Sequence, residues 1–60
     1  MSEELKKAAG QLEKRNYYIE NQFDGFFSTI PGEYELTNAE GEVLIDHLSE
    51  AQVLQISKIL

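Results

Sequence analysis

The chain has 60 residues, 42% of them hydrophobic and 10% aromatic, with a formal net charge of −6. That composition suits one small globular domain spanning residues 1–60, not a disordered segment. A chain this short buries only about 60% of the surface its unfolded form exposes, so its fold needs support. Cysteine is absent and His47 is the only histidine, which leaves no disulfide, no thiolate metal site and little for zinc or copper. No cofactor or metal is expected, and oligomerisation or a protein partner remains as the support.

The first predicted element is a helix over about residues 3–15. Ser2 can cap it, Glu3 and Glu4 suit the positive end of its dipole, and Leu5, Ala9 and Leu12 form an apolar stripe with Ala8 beside it. Next comes Asn16 to Gly32, which holds five of the six aromatic residues. Counting from Leu5 in alternating steps of four and three reaches Ala9, Leu12, Asn16, Ile19, Phe23, Phe26 and Ile30. That is heptad spacing, and it predicts that the N-terminal helix continues, long or kinked, until Pro31-Gly32 stops it. On this reading Ile19, Phe23 and Phe26 are core, and Asn16 is a register-setting polar residue in the seam. The competing reading ends the helix at Asn16 and uses Asp24-Gly25 as a turn between two extended segments, in keeping with the weak helix formers around it.

A β-hairpin follows: Tyr34–Thr37, a turn at Asn38-Ala39-Glu40-Gly41, then Glu42–Asp46. A four-residue loop pairs Leu36 with Val43 and Tyr34 with Ile45, giving one wholly apolar face. Slipping by one residue pairs Leu36 with Leu44 and Tyr34 with Asp46, so the first register is expected. Ser49-Glu50-Ala51-Gln52 then matches the S-x-x-Q capping box, with Leu48 and Val53 placed as its hydrophobic staple. The last helix runs from Glu50 toward Leu60 and buries Val53, Ile56 and Leu60. The expected fold class is α+β: a small α-β-β-α domain with an N-terminal helix, a β-hairpin and a C-terminal helix.

Charge is distributed unevenly along this chain. Residues 1–15 carry four Lys or Arg against three Glu, whereas residues 16–57 carry eight carboxylates and no Lys or Arg. The acidic surface comprises Glu20, Asp24, Glu33, Glu35, Glu40, Glu42 and Asp46 of the hairpin region, with Glu50 in the last helix. Such a field repels phosphate and anionic lipid and attracts basic surfaces, so direct nucleic-acid or membrane binding is not expected. The longest strongly apolar run, Val43-Leu44-Ile45, is far short of the roughly 20 residues that span a bilayer, and Met1–Lys7 leads into no signal-peptide core. A soluble, cytoplasmic protein is expected.

Enzyme signatures are missing. No phosphate loop, dinucleotide fingerprint, zinc-protease helix or calcium loop occurs, and His47 has no flanking signature linking it to Ser2, Ser28, Ser49 or Ser57. Asp46-His47, Glu33/Glu35 and Glu40/Glu42 read more simply as polar strand ends and the solvated side of a hairpin. No catalytic residue is assigned. Tyr17, Tyr18 and Phe27 lie off the heptad seam and are the expected interface, since aromatics concentrate at protein contacts. The functional expectation is a non-enzymatic, acidic protein-interaction module that forms a homodimer through its aromatic segment. Two alternatives stay open. One is an acidic, nucleic-acid-mimicking inhibitor of a basic protein, of the kind carried by phages and mobile elements; the other is a subunit of a larger assembly.

Overall fold

The computed structural model describes residues 2–60, in the order helix α1 (Glu3–Glu13), strands β1 (Tyr17–Phe23), β2 (Thr29–Asn38) and β3 (Val43–Leu48), and helix α2 (Glu50–Ile59). The α+β class holds, with one strand more than expected. The three strands form an antiparallel meander, β1-β2-β3, and both helices pack against each other on one of its faces. The core there consists of Leu5, Ala8 and Leu12 of α1, Leu36 of β2, Leu48 of β3 and Val53 of α2. Tyr17, Ile19, Tyr34, Leu54, Ile56 and Leu60 close its rim.

Local chemistry sets both helix starts. The Ser2 hydroxyl accepts the Leu5 amide at 3.1 Å. At α2 the capping box is complete: the Ser49 hydroxyl accepts the Gln52 amide at 3.2 Å, and Gln52 Oε1 accepts the Ser49 amide at 2.8 Å. Four amides at each helix start have no intrahelical acceptor, so these side chains satisfy groups that would otherwise depend on water.

The continuous helix through residues 16–30 is not formed. Asn16 terminates α1 instead of sitting in a seam: its amide donates to Glu13 O at 3.0 Å, and its φ of 67° is left-handed. Asparagine tolerates that conformation better than most residues, and the chain reverses there. The segment beyond is rich in aromatic and β-branched side chains and finds a sheet partner. Tyr17 lies opposite Asn38, Tyr18 opposite Thr37, Ile19 opposite Leu36, Glu20 opposite Glu35 and Asn21 opposite Tyr34. The regular ladder satisfies the backbone and puts Tyr17 and Ile19 toward the helices.

Beyond Asn21 the two strands separate. Phe23 lies opposite Thr29, so two steps along β1 correspond to five along β2. The extra β2 residues include Pro31 and Gly32, the latter at φ 79°. Proline lacks an amide donor and is tolerated in a strand only where the ladder is interrupted, as it is here.

The β2–β3 hairpin keeps the expected turn but not the expected register. The Gly41 amide donates to Asn38 O at 3.1 Å, and Asn38 donates its own amide to Glu42 O at 3.1 Å. Asn38 Oδ1 accepts the amides of Glu40 and Glu42, and Gly41 adopts φ 85°. This is a three-residue loop closed by a left-handed residue. It starts β3 at the slipped register, with Thr37 opposite Val43. Two irregularities then repair the faces: Leu36 lies opposite Ile45, and Tyr34 opposite Leu48. Asp46 and His47 together oppose Glu35, and His47 takes a left-handed φ of 53°. The repair keeps Asp46 out of the core and brings Leu48 in. Val43 and Ile45, expected on one buried face, are each about half exposed.

Gln22 joins the two outer strands. It is only 6% exposed; its Oε1 accepts the His47 amide at 2.8 Å, and its Nε2 donates to Phe23 O at 3.2 Å. The side chain bridges from β1 to β3 where β2 has bulged away from β1.

Candidate functional site

The β1–β2 connection is the most exposed apolar feature of the fold. Asp24 organises it: Oδ1 accepts the Phe26 amide at 2.7 Å and the Ser28 amide at 3.3 Å, while the Asp24 amide donates to Ser28 O at 3.0 Å. Gly25 at φ 92° makes the reversal with no side chain to strain it. The two rings that follow have nowhere to fold back. Phe26 is 78% exposed and Phe27 98%, with Phe23 at 51% beneath them. The seam count placed Phe23 and Phe26 in the core; the hairpin places both at a solvent-facing tip. Large rings cost free energy when hydrated, about 25 cal/mol per Å² of apolar surface, so a tip built this way gains from being covered.

The expected interface residues are dispersed. Tyr17 packs on the core rim, Tyr18 lies half-buried on the face away from the helices, and only Phe27 is at the tip. The acidic residues are gathered more closely. Glu20 and Glu35 are direct cross-strand neighbours, and Glu33, Asp46 and His47 lie beside them. Like charges directly opposed across a ladder destabilise it, so this pair is a local cost to the sheet. Glu40 and Glu42 stand at the β2–β3 turn, and Asp24 at the opposite end of β2.

The proton affinity of His47 is raised by its surroundings. Its Nδ1 lies 2.8 Å from Glu33 Oε1. That hydrogen bond raises the imidazole pKa above its ordinary value; partial desolvation opposes the rise, and the nearby charges of Asp46, Glu33 and Glu35 reinforce it. Three of the four serine hydroxyls are otherwise engaged: those of Ser2 and Ser49 cap helices, and that of Ser57 donates to Leu54 O at 2.7 Å. Among the described residues no three His, Cys, Asp or Glu side chains are grouped to hold a metal ion.

Val43, Leu44 and Ile45 form a half-exposed apolar run on the outer strand β3, whose two irregularities interrupt the flat edge that another strand would need. Between α1 and α2 lies an open cleft of about 410 Å³, with Ala8 and Leu54 among its apolar lining and Lys7 and Lys58 among its polar lining. No helix is long and apolar enough to cross a membrane among the described residues.

No protein family matches this chain, and neither does any curated protein or solved structure. The turn beneath the tip is the one the competing reading of Asp24-Gly25 expects, between two extended segments. The Gln22–His47 bridge has no signal in the sequence, because its partners are 25 positions apart.

Proposed function

We propose that this chain is a non-enzymatic, cytoplasmic protein-interaction module that self-associates as a homodimer through its aromatic segment. The observation that carries the reading is the presentation of Phe26 and Phe27 on a loop held by three hydrogen bonds to Asp24 and Ser28. A preorganised aromatic tip loses little conformational entropy on binding, and buried aromatics supply much of the energy of typical interfaces. The small core supports the same reading, since a 60-residue chain gains from surface buried in a partner.

The test is light scattering across a hundredfold concentration range, on the natural chain and on Phe27→Ala. Concentration-dependent dimerisation that Phe27→Ala weakens is the expected result. A strict monomer with a concentration-independent melting temperature would end the reading.

A second reading is favoured by the seven carboxylates without a Lys or Arg between residues 17 and 48. In it, the module docks on a basic protein surface that otherwise holds nucleic acid. Capture of a basic partner at low salt and its loss at high salt would favour that role; capture indifferent to salt would eliminate it.

A further inference from the structure

We propose that the α1–α2 cleft is the receptor for the aromatic tip of a second copy of this chain, so that two copies exchange tips. The inference rests on the reading that the tip mediates self-association, and it names what the tip enters. Charge argues for this arrangement. All five Lys and Arg residues belong to the helical layer: Lys6 and Lys7 in α1, Lys14 and Arg15 just after it, and Lys58 in α2. Residues 17–48, the sheet and its loops, hold seven carboxylates and no Lys or Arg. Two copies meeting sheet to sheet therefore repel, whereas the sheet end of one and the helices of the other do not. Direct tip-to-tip stacking would also set Asp24 near its own symmetry mate.

The cleft suits two phenyl rings. Its volume of about 410 Å³ leaves room for both, in a cleft open to solvent in which Ala8 and Leu54 are the apolar lining and the other five lining side chains are polar. Half-buried Leu54 supplies the main apolar contact, and the stems and ammonium groups of Lys7 and Lys58 at the cleft can cover ring faces and attract Asp24 of an incoming tip. Glu4 also lines the cleft, leaving one net positive charge among its ionisable side chains. None of the tip residues lines the cleft of its own chain. A twofold exchange places each tip in the partner's cleft and closes the assembly at two copies, without open-ended growth.

The decisive experiment compares sedimentation of the natural chain with a tip variant, Phe26→Ala/Phe27→Ala, a cleft variant, Lys7→Glu/Lys58→Glu, and an equimolar mixture of the two. All four side chains are exposed, and circular dichroism melting checks that each variant is folded. Each variant should weaken dimerisation by about thirtyfold or more, the effect of losing an interface hot spot. The mixture should associate more tightly than either variant alone, because it retains one intact tip and one intact cleft in each mixed dimer. If the tip variant is monomeric while the cleft variant dimerises like the natural chain, the tip acts elsewhere: this inference falls and the function reading stands. If both variants weaken but mixing restores nothing, the lysines act through general charge and the inference also falls. If the tip variant dimerises normally, or the natural chain is monomeric throughout, both fall.

Discussion

Replacing Gln22 by alanine tests whether one side chain holds the two outer strands together. The substitution removes the bond from the His47 amide at 2.8 Å and the bond to Phe23 O at 3.2 Å. Each is worth about 1 kcal/mol net, and losing the methylene packing of a side chain only 6% exposed adds about 0.8 kcal/mol. The bond from the His47 amide is part-buried, so any orphaning of that donor adds to this sum. The expected loss is therefore about 2–3 kcal/mol, against a total stability of about 3–9 kcal/mol for a domain of this length. Melting should fall by about 10 °C or more. Thermal and urea unfolding measure the loss, and hydrogen exchange at the His47 amide locates it. A change below about 0.5 kcal/mol, with His47 exchange unaltered, would refute the bridge. Gln22→Glu is an internal control: it keeps the acceptor but sets a carboxylate beside the Phe23 carbonyl, and should be no milder than alanine at pH 7.

Ser49→Ala breaks the capping box of α2 and should cost about 1 kcal/mol, read by chemical denaturation; no loss would place the helix start elsewhere. Phe23→Ala, half exposed, should cost only about 1 kcal/mol, whereas Leu36→Ala, at 1% exposure, should cost about 2–5 kcal/mol, and the reverse order would return Phe23 to the core. The His47 pKa is raised in the folded state, so its contribution to stability is fully present below the unfolded value of about 6.5 and is lost as pH rises through the folded value. NMR titration of the ring should show that raised midpoint, and Glu33→Gln should lower it toward the ordinary range; an unmoved midpoint would mean that Glu33 is not the cause.

The misread segment shows where sequence periodicity stops being decisive. Ile19 and Phe23 are four residues apart, a spacing that returns to the same face of a helix and of a strand. Leu5, Leu12, Ile19 and Phe23 therefore satisfy a heptad count whether or not the chain stays helical. The count fails from Phe23 onward: Phe23 is half exposed and Phe26 stands on the exposed tip. The hairpin register reversed for a related reason. The three-residue loop at Ala39–Gly41 favours the slipped pairing, and irregularities at Leu44 and at Asp46-His47 restore the apolar side of β3, which a regular ladder cannot do.

By itself the sequence determined the features whose partners lie within a few residues. Ser2 capping Leu5, Ser49 with Gln52, Asn38 with Gly41, and Asp24 with Ser28 are each closed by short-range hydrogen bonds that the local residue types specify. It also determined the separation of charge, since all five Lys and Arg residues fall outside residues 16–57. Only the tertiary structure decided that Tyr17–Phe23 is a strand, that Leu48 displaces Asp46 from the core, and that Phe26 and Phe27 stand in water. Those outcomes depend on β2 lying beside β1 and β3, and on two helices covering one face of the sheet. Helix and strand were both locally acceptable for that segment, and the backbone partner available in the folded chain selected between them.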